Sequence, residues 1–140
     1  MALKASELKV GDTYTERLVE DLKRTQIVQY AGASGDFHPF HTDEAHAVAN
    51  GFDSVFAHGM HTMGLSGRVL SELVGDAAVK NYRAELRRQV WPGDTLTATA
   101  EVTSIDASAE PPVAHLELRT TDQHGEVVLT GTAAVWIGTT

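Results

Sequence analysis

The sequence predicts an α+β domain in which one buried helix lies against an antiparallel sheet. Three observations carry that expectation. Residues 58–74 are apolar on nearly every helical face, with only Arg68 and Glu72, an i,i+4 pair, marking a wet side. From Val79 onward the apolar period changes to two, in four segments separated by turn-like clusters. The 140 residues suffice for one core, and no linker, repeat or low-complexity stretch divides them, so residues 1–140 are expected to form a single domain.

In chain order, a Gly11-Asp12 turn opens a strand at Thr13, Tyr14 and Thr15, which fades near Glu20 and Asp21. Lys23 to Ala33 carries Ile27, Val28, Tyr30 and Ala31 at helical spacing, starting at Thr25 or a neighbour. Gly32, Ser34 and Gly35 are expected to break it. Thr42-Asp43-Glu44 reads as the start of a short helix, with Thr42 as cap and acids in the first turn, that stops at Asn50-Gly51. The helix from about His58 to Val74 contains Gly59, Gly64 and Gly67, each costing roughly 1 kcal/mol relative to alanine, which makes sense if another backbone comes close. Strands follow over Lys80–Val90, Thr95–Ile105, Val113–Thr121 and Val127–Ile137, the last three as successive antiparallel neighbours. Leu96, Ala98, Ala100 and Val102 share one face.

The bulk numbers exclude several classes. A net charge of −8 speaks against nucleic acid, because phosphate binding needs a positive face. No cysteine is present, so there is no disulfide framework and no cysteine nucleophile. No window is apolar enough for a membrane span, and the N-terminus lacks a signal-like run. A cytoplasmic protein without membrane attachment is the expectation.

Five of the seven histidines fall between Tyr30 and Leu70, together with Asp36. Asp36 and His41 lie in a glycine-flanked loop stiffened by Pro39, where a carboxylate and an imidazole could hold and deprotonate a water. A capping aspartate and a surface histidine are the plain alternative. His38, His41, His46, His58 and His61 offer nitrogens to a metal, but the glutamate of an HExxH helix is missing, so no metal is expected. Ser34 and Ser66 lack a GxSxG elbow. Where the helix begins, around Ala57-His58-Gly59-Met60, free N–H groups suit a developing oxyanion. Lys80, Arg83, Arg87 and Arg88 form a basic cluster, with Lys80 and Arg88 on one strand face and Arg83 and Arg87 on the other. Such a cluster could meet ligand phosphates or be a solvated edge.

Tyr30, Gly35-Asp36, Pro39 and His41, followed by a short acid-capped helix, then AHGM at 57–60 and WPGDTL at 91–96, resemble the MaoC-like (R)-specific enoyl-thioester hydratases, also called hydratase 2. The resemblance covers nearly the whole chain. It implies the hot-dog fold, a long central helix wrapped by an antiparallel sheet. It also implies reversible hydration of trans-2-enoyl thioesters to (3R)-3-hydroxyacyl thioesters. Asp36 and His41 would be the catalytic pair, the Gly59 amide would hold the thioester oxygen, and Gly35, His38, Pro39 and His58 would support the motif.

The resemblance further implies an acyl-CoA or acyl-carrier-protein substrate, with CoA entering only as part of it and no separate cofactor. It implies pairing into homodimers, with a dimer of dimers or a heterodimer as variants. Phe37, Phe40, Phe56, Met60, Met63 and Gly67 would shape the acyl pocket, and Arg87 and Arg88 would meet the substrate's phosphates. Two positions depart from the family pattern. His38 replaces the usual asparagine and could preserve the loop, tune the pair or mark another acyl substrate. Gly67 stands where bacterial members often carry serine, and could widen the pocket or remove a water contact. A thioesterase on the same fold, or one subunit of a heteromeric dehydratase, remains the alternative.

Overall fold

Alternation writes the sheet. The computed structural model describes residues 7–138, and its strands are β1 (Thr13–Val19), β2 (Val79–Leu86), β3 (Leu96–Asp106), β4 (Val113–Thr121) and β5 (Val127–Trp136). They form one antiparallel sheet in the order β1-β3-β4-β5-β2. Leu96, Ala98, Ala100 and Val102 are buried on one face, as their spacing of two requires. The helices are α1 (Arg24–Ser34), α2 (Glu44–Ala49) and α3 (Gly59–Val74). Val69, Leu70, Leu73 and Val74 of α3 enter a core with Ala100, Val102, Leu116, Leu118 and Val135 of the sheet. A second cluster, around Leu22, Ile27, Ala57, Val90, Leu96 and Leu129, fills the end of the sheet near the start of α3.

Several local expectations need correction. Helix α1 begins at Arg24, next to Thr25 as expected, with Gln26 Oε1 accepting the Lys23 N–H at 2.8 Å, but it runs through Gly32 to Ser34. Only Gly35, at φ 75°, ends it, because the left-handed conformation is cheap for glycine. Arg68 does not pair with Glu72. Its guanidinium reaches Glu16 at 2.6 Å and the Leu18 carbonyl at 3.1 Å, tying α3 to β1. Nor is α3 surrounded on all sides: Met60, Gly64, Arg68 and Glu72 leave one exposed stripe at a spacing of four.

Gly59 and Gly67 of α3 face side chains rather than backbone, and Gly64 faces open space. A Cβ at Gly59 would overlap Leu86 Cδ1, and one at Gly67 would lie 3.1 Å from the Tyr82 ring. The close backbone approach is instead at Gly131 of β5, where a Cβ would sit 2.6 Å from the Arg83 carbonyl. Strand β2 stops at Leu86, short of the expected Val90. Residues beyond it peel away so that the Val90 carbonyl accepts the Ala57 N–H at 2.8 Å, bracing the approach to α3. The strand parity drawn for Lys80 and Arg88 lapses with that end, and with the register shift between Val79 and Asn81.

Candidate active site

The loop that carries Asp36 and His41 is a chain of short local bonds. Ser34 Oγ accepts the Asp36 N–H at 3.2 Å, and Asp36 Oδ1 accepts the His38 N–H at 3.3 Å. His38 Nδ1 then accepts the Phe40 N–H at 3.2 Å, opening the 3-10 turn Pro39–His41. An asparagine carbonyl in that place would accept the same kind of bond, so His38 preserves the loop. Asp43, rather than the expected Thr42, caps α2 by accepting the His46 N–H at 3.0 Å. Glu44 fastens the loop to its neighbours: it pairs with Arg24 at 2.6 Å and also accepts the Val55 N–H. Those two bonds, the guanidinium first, hold its carboxyl below the usual glutamate range.

Phe40 and Phe56 form a knot with Phe52 behind the loop, at centroid distances of 4.8 to 5.8 Å, and Trp91 closes its far side. The two segments also exchange backbone-mediated bonds. The Phe40 carbonyl accepts the Phe56 N–H at 3.2 Å, and the Phe56 carbonyl accepts His41 Nδ1–H at 2.6 Å. That second bond fixes the tautomer of His41, leaving the Nε2 lone pair free. Burial holds the His41 imidazole below its ordinary value of 6.5. The Phe56 carbonyl and the Asp36 carboxylate oppose that shift, while His58 and His38 add to it.

His58 is the hub. It is 2% exposed, stacks on His41 with centroids 3.8 Å apart, and donates Nε2–H to the Asp36 carbonyl at 2.9 Å. Its other nitrogen is buried without a partner. Tyr30 of α1 packs against His58 at 4.8 Å and stacks on His61 at 4.7 Å. Burial, helped by His58, lowers the His61 value as well. Immediately after His58, α3 begins without a side-chain cap, and among the described residues nothing accepts the Gly59 N–H. That donor stands at the positive end of the helix.

Asp36, His41 and His58 each offer one ligand-type atom, all within 4.8 Å of one another. That span suits a water bridging two groups, since two bonds of about 2.8 Å bent at the oxygen reach roughly 4.5 Å. It suits a single metal ion poorly. The ion must lie in the plane of each ligating ring, and planes only 23° from parallel do not meet beside the two nitrogens.

The other sequence candidates scatter. Phe37 is 68% exposed beside Asp36, Met60 is 62% exposed beside Gly59, and Met63 and Gly67 face Tyr82 along α3. Arg87 pairs with Glu85 and bonds Thr130, while Arg88 pairs with Glu126. Neither arginine contacts the histidine cluster. An open depression lined by Arg83, Glu85, Glu117 and Arg119 faces outward from the sheet, away from Asp36. Sequence reasoning weighed His61 only as a nitrogen for a metal and did not single out Tyr82 or Leu86. The spacing of three from His58 on a helix was the available signal for His61, and strand parity for Tyr82 and Leu86.

The MaoC like domain model matches residues 5–123. The (R)-specific enoyl-CoA hydratase of Aeromonas caviae is 31% identical over 95% of this chain and 98% of its own length. The 3-hydroxybutyryl-CoA dehydratase of Methylorubrum extorquens is 35% identical over 92% of this chain and 80% of its own. The solved (R)-hydratase from A. caviae involved in PHA biosynthesis superimposes with a TM-score of 0.84 at 28% identity, over 95% of this chain and 99% of the other. With a long helix held in a five-stranded antiparallel sheet and these hydratase and dehydratase relatives, the fold is that of a hot-dog hydro-lyase, and the chain belongs to the MaoC-like hydratase and dehydratase family.

Proposed function

We propose that this enzyme adds water reversibly to trans-2-enoyl-CoA, giving the (3R)-3-hydroxyacyl-CoA, with Asp36 and His41 activating the water. The observation that carries the reading is the clustering of Asp36, His41 and His58, whose ligand-type atoms lie within 4.8 Å of one another, near an unused helix N–H at Gly59. A water held between Asp36 and His41 gives one proton to this pair while its oxygen bonds to C3. The C2–C3 π electrons move toward the thioester oxygen, which the Gly59 N–H and the helix end stabilise. The enolate then collapses, and the proton held by the pair passes to C2. Dehydration is the same path reversed. The low value of His41 keeps it neutral and able to accept near pH 7.

The reaction consumes no redox equivalent, since the thioester itself makes C2 acidic. Apolar side chains crowd the mouth of the site: Phe37, Met60 and Leu86 are 68%, 62% and 52% exposed. An apolar rim of this kind supports coverage by a second copy, and analytical ultracentrifugation distinguishes that dimer from a monomer or from a chain that waits for a different subunit.

The test follows loss of conjugated ultraviolet absorbance from crotonyl-CoA, with free thiol assayed in parallel. Loss without thiol, reduced about 100- to 10,000-fold in Asp36→Asn, is the expected result. Thiol release would move the reaction to thioester hydrolysis.

A further inference from the structure

Strand β2 runs along α3 and presents alternate residues to it. Leu86 lies over Gly59, and Ala84 packs into the core cluster that also holds Met63. Tyr82 stands over Gly67, donating its hydroxyl to the Met63 carbonyl at 2.9 Å. The Tyr82 ring is gripped from two sides, because a Cβ at Gly67 would lie 3.1 Å from it and one at Gly131 would lie 3.5 Å from it. Both positions being glycine is what lets the ring fit between helix and sheet. Burial pushes the phenol up to about 12, so it remains a neutral donor to that carbonyl.

This seam starts at the Gly59 amide. Its mouth is covered only by the flexible end of Leu86, its floor is the methyl of Ala84, and its far end is a ring anchored by a hydrogen bond. From Gly59 to Met63, whose carbonyl holds that ring, the helix rises about 6 Å. Gly67 therefore opens no extra room, since Tyr82 occupies the space that a missing serine would leave.

We propose that Tyr82 is a specificity-determining residue that closes the α3–β2 seam and restricts the enzyme to short-chain enoyl thioesters. The inference rests on the hydratase reading of the Asp36–His41 site and on the acyl tail leaving Gly59 along this seam. Trimming the ring lengthens the slot toward Gly67 and Gly131, whereas bulk at Ala84 shortens it.

The experiment compares kcat/KM for crotonyl-CoA, trans-2-hexenoyl-CoA and trans-2-decenoyl-CoA in wild type, Tyr82→Val and Ala84→Leu, with butyryl-CoA and decanoyl-CoA binding measured by calorimetry on the same proteins. Wild type is expected to favour the four-carbon substrate by tenfold or more, on the scale of about 10-fold or more per methylene that a pocket can reject. Tyr82→Val should raise the decenoyl-to-crotonyl ratio by about tenfold, and Ala84→Leu should lower hexenoyl turnover relative to crotonyl. A wild type equally active on both lengths, or an unchanged ratio in a folded Tyr82→Val, overturns the proposal. If Tyr82→Val does not fold, an Ala84→Leu protein with the wild-type hexenoyl-to-crotonyl ratio overturns it instead. Thiol release with the same length dependence leaves the slot standing and removes the hydratase assignment. Absence of both turnover and binding at every length removes both.

Discussion

His58 and His41 lie face to face, with ring centroids 3.8 Å apart and planes 23° from parallel. His58 also holds the Asp36 carbonyl at 2.9 Å, so a single buried ring contacts both groups proposed to activate water. Its own nitrogens never need to meet substrate. His58→Phe keeps the stack and removes the bond. We expect kcat to fall about 10- to 100-fold with a smaller change in KM, the effect of misplacing a reacting group by around 1 Å. The orphaned carbonyl should cost about 1–3 kcal/mol in a denaturant melt. Unchanged kcat would remove His58 from this positioning role.

The imidazoles make stability and activity fall together in mild acid. Burial depresses His41 and His61 below the ordinary 6.5. The unfolded chain therefore takes up protons near 6.5 that the folded one still refuses. Stability from these groups is complete above that value and is lost as pH falls through it toward the lower folded values. Denaturant melts of wild type and His61→Phe across pH 5–8 check this, and the variant should show the shallower decline. The acid limb of kcat/KM should lie below pH 6.5 for crotonyl-CoA.

Ser66 of α3 and Thr120 of β4 share a buried 2.6 Å hydrogen bond. Thr120→Val removes one partner of Ser66, whose hydroxyl also bonds the Tyr82 phenol, and should destabilise by about 0.5–1.5 kcal/mol. Ser66→Ala in the Thr120→Val background should cost less than Ser66→Ala alone, because the bond between the two is already gone. Additive losses in the double variant would show that the bond is not the source.

Gly131→Ala should separate β2 from β5. Its Cβ would meet the Arg83 backbone oxygen at 2.6 Å, and a strand cannot rotate away as a flexible side chain can. A loss of about 1–3 kcal/mol is expected from such overpacking, read as a lower thermal midpoint. Gly64→Ala meets nothing within 4 Å and should be neutral or stabilising by comparison.

What the sequence made legible was local. Asp36, Pro39 and His41 sit close together, so a single loop displays them, and the period of two marked the buried face of β3 before any contact was known. The contents of a cap or a pair were not legible in the same way. Arg68 chose Glu16, far along the chain, over its helical neighbour Glu72, because β1 passes beside α3. His38 takes the loop-holding role through its Nδ1, a matter of rotamer. The Tyr30–His61 stack depends on how α1 packs against α3, and the Tyr82 wall depends on two glycines on separate elements. Spacing along the chain carries none of that information.

On the reading proposed above, the groups that handle water and charge are Asp36, His41 and Gly59, all of which lie outside the strands of the sheet. The strand that borders the seam, β2, supplies Tyr82, Ala84 and Leu86 instead. Reaction and fit are therefore written on different parts of the chain. Drift along one edge strand can change which acyl group is accepted while the water-activating loop stays as it is, so that a new substrate range is reachable by substitutions that never pass through an inactive enzyme.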